Sequence, residues 1–199
     1  MPRLTQNIAV FDFDGTLIKQ DSMLAFLKYV CGKKKFILGL CWLSPMLLGF
    51  KLGFIKQKDA KERLLTYFLS PKSEQELYRL GELFAQDILS KCLRPSVFNR
   101  LRWHQQAGHA CYLLTASLTF WTRAWAEEYG LILIATWPEI KEGVFWGKIH
   151  GENCWGQEKV NRILALLSES KREALYIYAY GDSKGDEELL DWADEGYWV

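Results

Sequence analysis

Ile8-Ala9-Val10-Phe11-Asp12-Phe13-Asp14-Gly15-Thr16-Leu17 is the stretch that decides the fold. Four apolar residues, then acidic and apolar residues in alternation, then Gly-Thr, describe a buried parallel strand leaving the core into a turn. Branched and aromatic residues at this density favour strand over helix. Side chains alternate along a strand, so Asp12 and Asp14 fall on one side, their Cα atoms roughly 6 to 7 Å apart. Two carboxylates that close repel each other. A divalent cation between them, or a proton kept on one, relieves the repulsion, and an acid/base phosphoryl-transfer site uses both states. An acidic strand end in solvent is the plainer reading. A calcium loop fits poorly, because an EF-hand has Gly sixth after acids at its first, third and fifth positions, and here Gly15 is fourth.

Working outward, the far end of the chain repeats this design. Leu175 to Tyr180 reads as a strand, followed by Gly181-Asp182-Ser183-Lys184-Gly185-Asp186. Between the two, Ala110 to Leu114 reads as a strand that delivers Thr115-Ala116-Ser117 to the start of a helix, where hydroxyls and free N–H groups can meet an anion. Gly156 to Val160 opens another helix with Lys159 in its first turn. A lysine there opposes the helix dipole, and a phosphate supplies a reason for it. Alone, Lys159 would be read as a solvated surface residue. Parallel sheets collect ligands at strand C-termini, so Asp12, Asp14, Thr115, Lys159, Asp182 and Asp186 are expected to converge.

The rest of the chain supplies helices and an edge. Asp21 and Ser22 stand as an N-cap before a helix ending near Gly32. Phe36 to Phe50 is uncharged, flanked by Lys33 to Lys35 and by Lys51, Lys56 and Lys58. It is short of the roughly 20 residues that span a bilayer, and Pro45 is expected to kink or divide it. Two readings stand: a helical hairpin buried in a small helical module, or a segment dipping into a membrane interface. Lys56 to Ser70 and a helix opened by a Ser73/Glu76 capping box complete four helical segments before Pro95. A helix to about Gln106, Trp121 and Trp125 packed on the sheet, a strand over Leu131 to Ala135 and an edge hairpin over Glu139 to Ile149 follow.

Composition narrows the function. The 199 residues carry 25 Lys and Arg against 24 Asp and Glu, so no basic excess points to nucleic acid. Five scattered cysteines without CxxC spacing indicate neither a zinc site nor a disulfide framework, and a reducing cytosol is the expected location. The first residues lead into the opening strand without an apolar signal segment.

Asp-Phe-Asp-Gly-Thr-Leu, Leu-Leu-Thr, a helix-start Lys and Gly-Asp-Ser-Lys-Gly-Asp, in that order, resemble the motifs of the haloacid dehalogenase superfamily. The helices between the first two motifs resemble the cap of its phosphoserine-phosphatase-like branch, subfamily IB with a C1 cap. The resemblance implies a Rossmann-like α/β core with a mostly parallel sheet over residues 1–19 and 93–199, and a helical-bundle cap over 20–92. It implies a magnesium-dependent phosphatase with Asp12 as nucleophile and Asp14 as general acid and base. Thr115, Ala116, Ser117 and Lys159 would hold the phosphoryl group, and Asp12, Asp14, Asp182 and Asp186 the magnesium. Asp14 distinguishes it from dehalogenases, which lack an acid there, and from P-type pumps, which carry Thr.

The substrate implied is a phosphorylated small molecule or a phospholipid headgroup. Asp21 and Arg63 stand where the phosphoserine phosphatases hold the amino-acid end; Asp21 reads equally as an N-cap, and Arg63 equally as a solvated residue of an amphipathic helix. Thr115-Ala116-Ser117 in place of Ser-Gly-Gly, and Gly185 in place of Asn, depart from that branch. The apolar 36–55 region is similar to the cap of bacterial phosphatidylglycerophosphate phosphatases, which implies peripheral contact with the inner face of a membrane. A lipid-binding module that kept the fold without catalysis is the other class of reading.

Overall fold

The computed structural model describes residues 6–167, 172 and 174–199. A seven-stranded sheet forms the centre, in the order β2-β5-β4-β3-β1-β6-β7. Strands β1 (Gln6–Phe11), β3 (Ala110–Leu118), β4 (Ile132–Lys141), β6 (Leu175–Gly181) and β7 (Glu195–Trp198) run parallel. β5 (Val144–His150) and β2 (Lys72–Ser73) complete one edge antiparallel.

Both faces of the sheet are covered, which is why β1 reads as a continuous apolar run. Ile8 and Val10 face Val160 and Ile163 of α7 (Gln157–Leu167) and Leu189 of α8 (Glu187–Trp192). Ala9 and Phe11 face the opposite core, with α5 (Pro95–Gln106) and α6 (Thr119–Glu128). Trp121 and Trp125 are buried there, as expected. Trp121 also stacks on Phe26, at 4.8 Å between ring centroids.

Four helices lie between β1 and α5: α1 (Ser22–Cys31), α2 (Lys33–Lys51), α3 (Gln57–Leu69) and α4 (Glu74–Asp87). They are bound tightly to the sheet layers. Gly81 of α4 lies so close to α6 that a Cβ there would sit 1.7 Å from the Phe120 carbonyl oxygen. Glu62 of α3 pairs with Lys148 at 2.7 Å and accepts from the Ile149 N–H at 3.2 Å, joining the helices to β5.

Several expectations need correction. α2 is one continuous helix through Pro45, neither divided nor a hairpin. Proline leaves the carbonyl four residues earlier without its donor, and the Ser44 hydroxyl supplies one to Cys41 O at 2.8 Å. Nor is α2 buried: its inner face packs on α1 and α3 while a whole apolar stripe stays in the open. Among the described residues no helix is long and apolar enough to cross a membrane. Only half of the capping box forms: Ser73 Oγ accepts from Glu76 N at 3.1 Å, but the Glu76 carboxylate pairs with Lys72. The 131–135 strand and the first arm of the hairpin are a single strand, β4, bent by an irregularity between Pro138 and Ile140. β3 runs on through Leu118, so Thr115 to Ser117 belong to a strand with a register shift, and α6 starts only at Thr119.

Candidate active site

The strand order brings the two acidic turns side by side. β1 pairs with β6, matching Phe11 to Tyr180, and Asp12 N–H donates to Tyr180 O at 2.9 Å. Carboxylate oxygens of Asp12, Asp182 and Asp186 consequently lie within 4.8 Å of one another. Gly15 makes room for this grouping. It adopts φ +79°, and a Cβ there would fall 2.0 Å from Asp182 Oδ2.

Lys159 enters from the first turn of α7. Its ammonium is 2.6 Å from Asp12 Oδ1 and 2.5 Å from Asp186 Oδ1, with only 2% of the side chain exposed. Burial opposes its charge, yet Asp12 and Asp186 outweigh that and raise its pKa. Burial pushes Asp12 up, against the pull of Lys159 and with a further push from Asp186. Asp186 is fixed on its other oxygen by the Ser183 N–H at 3.1 Å and hydroxyl at 2.9 Å. Asp182 receives the Thr16 hydroxyl at 3.3 Å and is raised by burial and by Asp186. Three carboxylates against one buried ammonium leave a negative balance, and an oxygen-seeking cation such as magnesium fits that donor set.

Asp14 is held differently. One of its oxygens accepts from the Ser22 N–H at 2.6 Å and the other from the Ser117 hydroxyl at 2.5 Å. Ser22 and Ser117 hydroxyls are 2.9 Å apart, and Trp121 Nε1 donates to Ser22 at 2.8 Å. Burial, with Asp21 adding to it, raises Asp14 to about 6. It is therefore a carboxyl that exchanges its proton near neutrality.

A cavity of about 380 Å³ gathers Asp12, Asp14, Thr115, Lys159 and Asp182. A second, of about 410 Å³, adjoins it through Asp14, Asp21, Gln57 and Ala116. Its walls are apolar, from Met23, Leu24, Leu40, Leu47 and Leu64. The expected anion contacts at 115–117 are changed by the longer β3. Ser117 N–H donates to Thr115 Oγ1 at 3.0 Å and its hydroxyl to Asp14, so Ser117 positions neighbours and has no free donor for an anion. Asp21 fits both its readings: it accepts from Leu24 N at 2.8 Å as N-cap and lines both cavities.

Arg63 is exposed on α3 and lines neither cavity. Lys61, two residues earlier and on nearly the opposite side of the helix, is the α3 cation that lines the apolar cavity. It donates to Ala116 O and, at 2.8 Å, to Asn153 Oδ1, and burial lowers it to about 8 against the Asp14 charge. Sequence reading passed over Lys61 because it stands in a charged run, Lys58-Asp59-Ala60-Lys61-Glu62-Arg63, where nothing local marks which charge turns inward.

A family model described as haloacid dehalogenase-like hydrolase matches residues 9–191. The chain belongs to that family. This hydrolase is similar to Protein CicA of Caulobacter vibrioides, 31% identical over 193 residues that cover 96% of this chain and 85% of that protein. It is 26% identical to Phosphoserine phosphatase SerB1 of Mycobacterium tuberculosis, over 92% of this chain and 61% of that one. A crystal structure from Bordetella pertussis Tohama I matches with TM-score 0.79 and 28% identity, covering 94% of this chain and 86% of that chain. A phosphoserine phosphatase carrying a phospho-aspartyl intermediate analogue shares the fold, with TM-score 0.64 at 14% identity, over 95% of this chain and 84% of the other.

Proposed function

We propose that this hydrolase is a magnesium-dependent phosphatase that cleaves a phosphate monoester through an aspartyl-phosphate on Asp12. The convergence of Asp12, Asp14, Lys159, Asp182 and Asp186 at one end of the sheet carries the proposal. An Asp12 oxygen attacks phosphorus as the bond to the leaving oxygen breaks, and the proton on Asp14 goes to that oxygen. Asp14, now ionised, takes a proton from water, whose oxygen attacks the aspartyl-phosphate; phosphate leaves and Asp12 is restored. Lys159 and Thr115 hold the phosphoryl oxygens while charge develops. Magnesium, when bound by Asp12, Asp182, Asp186 and the Asp14 carbonyl, neutralises charge on the transferring group. Residues 20–92 serve as the cap over this site.

The leaving group is the open part. Phosphoserine is small and doubly charged at its amino-acid end, and Lys61 with Asp21 offers it partners. A phospholipid headgroup such as phosphatidylglycerophosphate, met at a membrane surface, is the second reading, and the apolar cavity beginning at Asp14 favours it. Phosphate release from phosphoserine and from detergent-dispersed phosphatidylglycerophosphate, compared by kcat/KM with wild type beside Asp12→Asn, tests both. Mg-dependent turnover retained by Asp12→Asn would overturn the mechanism, and a preference for phosphoserine would overturn the lipid reading.

A further inference from the structure

α2 and the turn after it expose apolar surface of an unusual kind. Leu38 is 69% exposed, Trp42 75%, Leu52 61% and Phe54 83%, with Ile37 and Leu48 beside them. Leu38, Trp42, Pro45, Leu48 and Leu52 recur at three- and four-residue steps, so they form one stripe along the helix. The opposite side of the same helix is occupied: Gly39 lies against Phe68, and Met46 is buried.

The charge around this stripe is one-sided. Residues 22–58 contain seven lysines and no Asp or Glu, whereas the rest of the chain has 18 basic and 24 acidic residues. Lys33, Lys34 and Lys35 stand at one end of α2, and Lys51 and Lys56 at and beyond the other, all exposed. Among the described residues none of these five forms an ion pair.

We propose that the outer face of α2, with Leu52 and Phe54, is a docking surface for an anionic lipid bilayer, the helix lying flat in the interface. Lysines at both ends decide the orientation. A helix along the bilayer normal would drive one lysine cluster into hydrocarbon, whereas a flat one sets both clusters among headgroups and the stripe in the acyl boundary. The positive field selects an anionic surface over a neutral one. It also disfavours a second copy of the chain, since a two-fold interface would set lysine cluster near lysine cluster. Docked in this way, α2 stands between the bilayer and the apolar cavity that its own Leu40, Leu47 and Phe50 line. A phosphomonoester with an apolar tail would thus reach Asp12 from the membrane side, a route that rests on the phosphatase reading, whereas the docking itself does not.

Sedimentation of the full chain with vesicles tests the proposal, using phosphatidylcholine alone and phosphatidylcholine mixed with phosphatidylglycerol. Wild type and Asp12→Asn are expected to sediment equally with the mixed vesicles, less with neutral ones, and less as salt rises. Replacing Lys33, Lys34 and Lys35 together by Gln is expected to weaken binding about 100-fold. Trp42→Glu with Phe54→Glu is expected to abolish it while hydrolysis of soluble p-nitrophenyl phosphate stays unchanged. Equal binding by that double variant, or no binding by wild type to either vesicle, overturns the docking. So does a wild-type dimer that the double variant dissolves without any vesicle binding. Failure of the phosphatase reading would appear separately, as absence of hydrolysis of every soluble ester.

Discussion

Lys159 and Asp12, 147 positions apart in sequence, meet at 2.6 Å beneath the ends of β1 and β6. Lys159→Met leaves Asp12 and Asp186 buried without their ammonium. Removing one partner of a buried ion pair costs about 3–5 kcal/mol. Urea unfolding should show a loss of that order. Magnesium should restore more stability to the variant than it adds to wild type, because the cation takes over the neutralisation. Equal magnesium effects in the two proteins would argue against a metal among Asp12, Asp182 and Asp186.

Asp12→Asn should stay folded, since Lys159 keeps Asp186 as partner, and should lose about 10⁴-fold or more in kcat as expected for a missing nucleophile. Phosphate release and a thermal melt on the same sample check both halves.

Asp14 titrates at about 6 through burial and the neighbouring Asp21. As a proton donor it acts in its protonated form, so kcat/KM for alkyl phosphates should fall as pH rises above about 6. An aryl phosphate, whose leaving oxygen needs no proton, should not show that limb. Asp14→Asn should lower kcat/KM for alkyl esters about 10²- to 10⁴-fold and for aryl esters far less, whereas kcat should fall for both because the shared aspartyl-phosphate needs Asp14 as base. Identical pH profiles for the two ester classes would remove Asp14 from the role of acid.

His104 is fully buried, with Nε2 2.9 Å from the Tyr180 hydroxyl and Nδ1 2.8 Å from His109 Nδ1. Burial, then His109 and Arg100, lower it to about 4, against Glu195. An unfolded histidine titrates near ~6.5, so as pH falls the unfolded chain binds the proton first. The contribution of neutral His104 is complete above about 6.5 and is lost between there and about 4, up to roughly 3 kcal/mol. Denaturation across this window should show the slope in wild type and a flatter one in His104→Gln.

Gly81→Ala places a methyl group 1.7 Å from the Phe120 carbonyl oxygen. Backbone on both sides must move, at a cost of about 1–3 kcal/mol or more. A helix substitution from Gly to Ala in open solvent would instead stabilise by about 1 kcal/mol, so the sign of the change in melting temperature decides whether α4 and α6 are in this close contact.

The α/β class, the parallel strands and the six converging residues were legible because each rests on a short-range pattern. An apolar run ending in Asp-Phe-Asp-Gly, a second ending in Gly-Asp, and a lysine after Gly156 carry their meaning in a few consecutive residues. Asp21 was legible as a cap for the same reason, and the structure adds that it also faces both cavities. For α2 the sequence left two readings open, a buried hairpin and a segment at a membrane interface: hydrophobic content says only that a surface seeks cover, and the Ser44 hydroxyl that lets Pro45 stay in the helix is a detail of three-dimensional placement.

By itself the sequence determined the strand ends and which side chains stand at them, since alternation and turn residues act within a few residues of backbone. Only the tertiary structure decided which charge of α3 enters the site, that Ser117 holds Asp14 and leaves no donor for an anion, and that one face of α2 remains open. Those outcomes depend on the rotation of each helix about its own axis, and packing against distant elements, such as Phe68 on Gly39 or Asn153 on Lys61, sets that rotation.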